Sequence, residues 1–168
     1  MMRYQIAFFA VPLMLASAAS PALDVPKIPD MSALSKGSVL DKVNKSLADQ
    51  QIKDGQFEFK TGKAEFASGN TKRVNGLLKV ISNYSKTLSA VPNLHITAEG
   101  HTDSDGTPEA NQKLSLARAQ TVCGALKAKG MKMPCTTSGA GSTKPLVSPE
   151  KSASDKQKNR RVLVQMAK

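Results

Sequence analysis

The sequence has few aromatic residues: it contains no Trp, two Tyr and five Phe among 168 residues. Proteins that stack nucleic acid bases rely on aromatic side chains for that contact, and proteins that line a large cofactor pocket usually carry more of them as well. Catalytic motifs are also missing. We find no nucleophile elbow, and "SGAGSTK" lacks the GxxxxGK spacing of a phosphate-binding loop. The sequence therefore predicts a protein that is not an enzyme and needs no cofactor, and it disfavours nucleic acid as a partner.

Metal-binding patterns are not found either. Neither of the two histidines, His95 and His101, lies at metal-ligand spacing from a cysteine. The segment "DSDG" is similar to the start of a calcium loop. Counted from Asp103, however, it places Thr107 and Pro108 where such a loop needs an acidic ligand and a glycine. The sequence predicts no metal site.

No hydrophobic run is long enough to cross a membrane. The N-terminus carries one positive charge at Arg3 and is apolar from Ile6 to about Ala16, which is shorter than the roughly 20 residues that span a bilayer. Small residues follow at Ala16-Ser17-Ala18 and Ser20-Pro21-Ala22. This layout predicts a cleavable signal peptide over residues 1–22 and an exported mature chain without a transmembrane span. An uncleaved N-terminal anchor is the alternative, and no Cys near the cleavage region is available for lipid attachment.

The two cysteines, Cys123 and Cys135, are twelve positions apart. In an exported protein, two thiols in a small domain more often form a disulfide than stay free. A loop of this size stabilises the fold by roughly 3 kcal/mol in the chain-entropy estimate. We expect a disulfide, with two unpaired thiols as the alternative.

The chain is strongly basic, with a formal net charge of +11 at pH 7, of which the signal peptide holds only Arg3. Such an excess suggests an anionic neighbour, for example a cell-wall polymer, a lipid headgroup, lipopolysaccharide or nucleic acid. The basic residues are scattered, however, and export disfavours nucleic acid. General solubility is the simpler explanation for much of this charge.

Hydrophobic periodicity predicts the helices and strands. Residues 23 to about 36 are punctuated by proline and read as a linker. Apolar residues recur at helical spacing over 38–51, 70–90 and 107–129. Residues 55–70 are predicted to contain a strand, in which Phe57 and Phe59 alternate with polar residues, and a turn near Thr61-Gly62; further strands are predicted over 93–100, 135–141 and 160–166. The resulting order, β-α-β-α-β-β, predicts an α+β fold: a two-layer α/β sandwich with two helices on one face of a small mixed sheet.

The helix over residues 38–51 is short and amphipathic, with Val39, Leu40, Val43 and Leu47 on one face. We expect it to pack on the domain and cover a sheet edge; binding a partner or a second copy is the alternative. The predicted organisation is a signal peptide at 1–22, a linker and short helix at 23–51, and a folded domain at 52–168.

Arg118 occupies an unusual position on its predicted helix. It lies four residues after Leu114 and four before Val122, on the side that faces the core. A buried arginine needs an anion, and Asp103 lies in the loop that enters the same helix. Either Asp103 and Arg118 pair with each other as an internal salt bridge, or they form a receptor for a zwitterionic ligand.

The residues around Arg118 resemble the signature TDxxGxxxxNxxLSxxRAxxV of OmpA-like peptidoglycan-binding domains. "GHTD", "GTPE" and "KNRRV" are especially similar to the peptidoglycan-associated lipoproteins, although the lipidated Cys is missing. The resemblance covers roughly residues 52–168. The matching positions are Thr102-Asp103, Gly106, Asn111, Leu114-Ser115, Arg118-Ala119 and Val122, with Phe59, Gly62, Ala64 and Phe66 before them and Asn159-Arg160-Arg161-Val162 after them.

The resemblance implies non-catalytic binding of peptidoglycan in the periplasm, through the diaminopimelate of the stem peptide. It implies that Asp103 and Arg118 hold the charged ends of the diaminopimelate side chain. Asn111 and Thr102 would shape the loop and pocket, and Arg160 would add a further contact.

The expected role is wall anchoring or envelope integrity, with possible association with the outer membrane or the cell wall. The alternative is a periplasmic interaction protein whose helix at 38–51 binds a protein partner, with wall binding secondary.

Overall fold

The computed structural model describes residues 36–168. This part of the chain contains four helices and three strands, in the order α1 (Lys36–Asp54), α2 (Asn70–Ser85), β1 (His95–Gly100), α3 (Pro108–Ala128), β2 (Cys135–Gly139), α4 (Ala153–Asn159) and β3 (Val162–Ala167). The predicted signal peptide and nearly all of the predicted linker lie outside the described residues.

The strands form a mixed sheet in the order β2-β1-β3. The central strand β1 pairs in parallel with β2, in register Ile96 with Cys135, and antiparallel with β3, in register Ile96 with Met166. Every second residue of β1 and β3 is buried, so one face of the sheet packs against the core. This arrangement confirms the predicted α+β class and the small mixed sheet.

The helices cover the buried face of the sheet. Helix α3 packs on β1 and β2, α1 packs on β3, and α2 contacts both α1 and α3. They supply their apolar stripes to one core, which includes Val74, Leu77 and Ile81 from α2 and Val122 and Leu126 from α3. The stripes have the helical spacing expected from the sequence. Helix α2 ends at Ser85, several residues earlier than predicted.

Helix α1 closes the outer edge of β3. The Asn44 amide accepts a hydrogen bond from the Met166 N–H at 2.7 Å and donates to the Met166 carbonyl at 3.0 Å. The Gln51 amide makes the same pair of bonds with Val164, at 2.9 and 3.0 Å. These two side chains bond to the backbone as a neighbouring strand would. The apolar face of the helix is buried below them, at Val39, Val43 and Leu47, and the expectation that it covers a sheet edge is confirmed.

The structure differs from the prediction in the segment over residues 55–66. These residues form no strand of the sheet; Phe59 and Phe66 make an isolated antiparallel bridge. The chain turns back at Gly62, with φ 65°, where the sequence predicts a turn. The side chains of α1 already bond to the outer edge of β3, and the aromatic rings pack on one another, with centroids of Phe59 and Phe66 5.3 Å apart. The segment is therefore a small hairpin, called here the phenylalanine hairpin (residues 57–67).

A second difference concerns residues 142–159, which lie between two predicted strands and for which no helix was predicted. They include the short helix α4, whose N-cap Ser152 accepts a hydrogen bond from the Asp155 N–H. Asn159 ends this helix and is fully buried. Its amide bonds to the backbone of Leu146 and Val147 and so anchors the preceding loop.

The predicted disulfide is present. It joins Cys123 in α3 to Cys135 at the start of β2, with their Cα atoms 6.2 Å apart. The bond therefore ties the long helix to the edge strand on which it packs. Among the described residues, no helix has the length and apolar character needed to cross a membrane.

Candidate functional site

The candidate site forms where the loop after β1 meets the middle of α3. The His101 N–H donates to the Arg161 carbonyl at 2.8 Å, and the Thr102 N–H donates to the Gly141 carbonyl at 2.9 Å. These bonds fix the first loop residues to the chain segments on both sides of β1. Thr107 then caps α3 by accepting from the Ala110 N–H at 3.2 Å, as expected for a Thr-Pro helix start.

Arg118 is rigidly held on α3. It is 4% exposed, its Nε donates to the Lys63 carbonyl at 3.2 Å, and its guanidinium carbon lies 5.0 Å from the centre of the Phe59 ring. Thr121, one turn further along α3, donates to the Ala64 carbonyl at 2.8 Å. The phenylalanine hairpin is therefore attached to α3 through Arg118 and Thr121, and Arg118 cannot move without disturbing it.

Arg118 has no carboxylate partner within 4.0 Å among residues 39–168. Burial lowers the pKa of its guanidinium from the usual value; Asp103 opposes this effect and Arg160 adds to it. The group nevertheless remains charged, since arginine does not lose its proton in proteins. A buried cation whose remaining N–H groups have no anion is suited to bind one from a ligand.

Asp103 pairs with Arg160 rather than with Arg118. Its Oδ2 lies 2.5 Å from Nη1 of Arg160, and the two residues are 57 positions apart. Arg160 also donates to Oε1 of Gln157, from Nη2 at 2.6 Å and from Nε at 3.2 Å. The internal Asp103–Arg118 salt bridge that the sequence left open is therefore not formed in the structure.

A cavity of about 380 Å³ lies between the phenylalanine hairpin, α3 and the end of α4. Its polar lining brings together the two arginines, Gln157 and Glu58, and its wall includes two aromatic rings. The lining residues are Phe57, Glu58, Phe59, Ala67, Arg118, Gln157 and Arg160. We call this the arginine cavity. Asp103 does not line this cavity, but it contacts Arg160, which does.

Asn111 and Thr102 support the loop without lining the cavity. Asn111 is 5% exposed and its Nδ2 lies 3.4 Å from the Asp103 carbonyl. It also packs near Gly106, whose φ of 91° favours glycine. Thr102 is 2% exposed, and within the described residues its Oγ1 has no hydrogen-bond partner. Both positions shape the loop that carries Asp103.

Sequence reasoning missed Gln157 and the Lys63 carbonyl as parts of this site. Gln157 comes from a polar segment that shows no periodicity, and a contact made by a backbone carbonyl, as at Lys63, does not depend on the residue type and so cannot be read from the sequence. The capping pattern from Ser152 to Asp155 would have indicated α4 and hence a fixed position for Gln157.

A second concave surface of similar size, about 390 Å³, lies between α1 and β3. Its walls are mainly apolar and include three exposed hydrophobic side chains, Ile52, Leu146 and Leu163. None of the residues predicted to bind a ligand lies there. Its one charged lining residue, Arg161, is 5% exposed and donates to the carbonyls of Asn159 and Lys144. The charged side chains that could recognise a charged ligand therefore lie at the arginine cavity.

The described residues include no group of three or more His, Cys, Asp and Glu side chains placed to hold a metal ion. What the arginine cavity offers is two guanidinium groups and the Glu58 carboxylate beside an aromatic wall, with the Asp103 carboxylate bonded to one of those guanidinium groups. Such a set can bind and orient a small charged ligand through charge-assisted hydrogen bonds.

Comparison with known proteins agrees with the fold. The peptidoglycan-associated lipoprotein from Burkholderia pseudomallei is similar in structure, with a TM-score of 0.50 and 22% identity over 67% of this chain and 89% of that one. An outer membrane protein from Borrelia burgdorferi B31 has a TM-score of 0.50 and 23% identity, over 68% of this chain and 86% of that one. None of the curated protein sequences compared with this chain matches it. The OmpA family model matches residues 58–160, which is more than half of the chain, and the chain therefore belongs to the OmpA family.

Proposed function

We propose that this protein binds peptidoglycan without cleaving it, by recognising the diaminopimelate of the stem peptide. The observation that carries the proposal is Arg118: a buried, rigidly held guanidinium with no carboxylate partner among the described residues, at the wall of an open cavity. Membership of the OmpA family supports the same ligand class. One structural neighbour also has peptidoglycan in its name.

The free end of diaminopimelate carries a carboxylate and an ammonium. Arg118 binds the carboxylate, because its unused N–H groups form a planar fork that matches carboxylate geometry. Asp103 accepts from the ammonium. Asp103 opposes the effect of burial on the pKa of Arg118, and Arg160, which contacts Asp103, lines the same cavity as Arg118. These contacts support a site that takes a ligand with both charges.

The remaining predicted residues have supporting roles. Asn111 and Thr102 hold the loop that presents Asp103, as their burial suggests. Arg160 adds a further contact from the opposite side of the cavity.

The protein acts in the periplasm, exported by its signal peptide, and contributes to wall anchoring or envelope integrity. Association with the cell wall follows from binding to peptidoglycan. The positive charge of the mature chain, which is the +11 of the full sequence less Arg3, adds a general attraction to anionic wall polymers. Such attraction is screened by salt, whereas a partly buried ion-pair site is screened less. Salt dependence therefore separates the two contributions.

A protein partner for residues 38–51 is the second candidate. The apolar face of this helix is already used, because Val39, Val43 and Leu47 are buried in the core of the same chain. One observation still favours a partner: Ile52, further along the helix, is 80% exposed. If Ile52→Asp dissociates a complex that forms in envelope extracts and leaves wall binding intact, the partner is the main target.

The test of the main proposal is co-sedimentation of the mature protein with purified diaminopimelate-type sacculi at low and moderate salt. We compare wild type with Asp103→Asn and Arg118→Lys, which keep side-chain size or charge, and with Lys158→Met as a control. Lys158 is an exposed cation on α4 that pairs with Asp155 and not with the site.

We expect wild type and the control to pellet at moderate salt, and both site variants to stay in the supernatant while keeping their circular dichroism spectra. If all four proteins pellet alike and salt releases them together, binding is general cationic attraction and the site is wrongly placed. Release of soluble wall fragments during the assay would instead indicate a hydrolase.

A further inference from the structure

The two arginines of the cavity are held in opposite ways. Arg118 is buried, bonded to the backbone of the phenylalanine hairpin and stacked on Phe59. The side chain of Arg160 is 34% exposed, and the groups it contacts are the side chains of Asp103 and Gln157. Arg118 is therefore fixed by the hairpin, whereas Arg160 can rotate away once its side-chain contacts with Asp103 and Gln157 are broken.

The backbone under Arg160 stays fixed when its side chain moves. Arg160 follows the fully buried Asn159, which bonds to the loop at Leu146 and Val147. Arg161, on its other side, is 5% exposed and bonds through its carbonyl to His101. Rotation about the Arg160 side-chain bonds therefore releases Asp103 without opening the domain.

The guanidinium of Arg160 lies where the proposed ligand would place its own cation. Its Nη1 is 2.5 Å from Oδ2 of Asp103, the carboxylate that the proposed function assigns to the ligand's ammonium. Two cations cannot occupy the same position against Oδ2 at the same time. An ammonium that binds Asp103 at Oδ2 must therefore displace Arg160.

We infer that Arg160 is a built-in substitute for the ligand's ammonium, and that it sets the specificity of the site by competing for Asp103. This inference rests on the proposed function. A ligand with a carboxylate alone binds Arg118 and leaves the Arg160–Asp103 pair in place. A ligand that carries both charges also binds Asp103 through its ammonium. The binding free energy gained there is reduced by the loss of the Arg160–Asp103 ion pair.

This competition predicts a specific effect of removing Arg160. In Arg160→Met, a ligand with both charges reaches an unoccupied Asp103, whereas a ligand without the ammonium gains nothing at that carboxylate. The ratio of their two affinities should rise about fivefold, which is the scale of a partly exposed ion pair.

The experiment is a calorimetric titration of the mature protein with two synthetic stem tripeptides. One ends in meso-diaminopimelate, and the other ends in 2-aminopimelate, which lacks the far amino group and keeps the carboxylate. The variants are Arg160→Met, Gln157→Ala, which removes the other side chain that holds Arg160, and Lys158→Met as the control for loss of one positive charge on α4. Arg118→Lys is included to show that both ligands use the proposed site.

The expected result is a rise of about fivefold in the affinity ratio for Arg160→Met, a smaller rise for Gln157→Ala, and no change for Lys158→Met. An unchanged or lower ratio in Arg160→Met, with both ligands still weakened by Arg118→Lys, overturns the competition and leaves the proposed function standing. If neither tripeptide binds wild type or Arg160→Met, the proposed function fails and the inference fails with it.

Discussion

His101 makes the stability of this fold depend on pH. The side chain is 1% exposed, and burial, with help from Arg161 and Lys144 and against the effect of Glu99, lowers the pKa of its imidazole from 6.5 to about 4. Glu99 belongs to β1, Arg161 immediately precedes β3, and Lys144 lies in the loop between β2 and α4. The Glu99 carboxylate is 3.3 Å from Nε2, so a proton on His101 would have one favourable neighbour and two unfavourable ones.

The sign of the effect follows from which state binds the proton. Between pH 6.5 and pH 4 the unfolded chain protonates His101 and the folded protein does not, so stability falls as the pH falls. Above pH 6.5 the imidazole is neutral in both states and contributes no slope. A pKa difference between 6.5 and about 4 corresponds, at 1.36 kcal/mol per pKa unit, to about 3 kcal/mol lost over this window.

The measurement is urea unfolding at several pH values from 7.5 to 4, followed by circular dichroism, for wild type and His101→Gln. Glutamine is polar, of similar size and does not titrate. Carboxylates titrate in both proteins, so the difference between the two stability curves isolates His101. We expect wild type to lose about 3 kcal/mol more than the variant on acidification.

Parallel stability curves for the two proteins would refute the reasoning, because the imidazole of His101 would then have the same pKa in the folded and the unfolded state. A second readout does not depend on the variant: the imidazole C–H resonance of His101 should titrate with a midpoint near pH 4 in the folded protein.

Two further predictions concern packing. Replacing Asn44 or Gln51 by Leu leaves a backbone N–H and C=O of β3 without their partners. Each change should lower the free energy of unfolding, measured in urea, by about 1–3 kcal/mol. A decrease below about 0.5 kcal/mol would mean that water replaces the amide as the hydrogen-bond partner. Gly100→Ala places a methyl group against the backbone of Ser115, whereas the same change at Gly124 meets no atom within 4 Å. The first should lower the melting temperature, and the second should leave it equal or raise it through better helix propensity; equal effects would contradict the packing described here.

Regular hydrophobic patterns were sufficient to predict most of the fold. Helices α2 and α3 were predicted from their buried stripes, and Pro108 after Thr107 marked the start of α3. The strands β1 and β3 followed from strict alternation and from a short apolar run. Helix α4 was missed because its seven residues are almost all polar, so that capping and not periodicity specifies it.

The phenylalanine hairpin was predicted as a strand because alternation shows that one face is buried without showing which edge the strand joins. That edge is closed by side chains of α1, and a contact between residues 113 or 122 positions apart is not visible in local sequence. The same limit applies to the site. The motif predicts Asp103 and Arg118 as site residues, but the pairing of Asp103 with Arg160 depends on the placement of α4.

The closed edge of β3 also defines where the folded unit starts. The family match begins at residue 58, yet the sheet takes part of its hydrogen bonding from Asn44 and Gln51. A chain trimmed to the matched residues would present the free N–H and C=O groups of Val164 and Met166 to solvent, and such an open strand is a template for another chain. Helix α1 therefore covers a strand edge that could otherwise pair with another chain, and a shortened form of the protein should keep it.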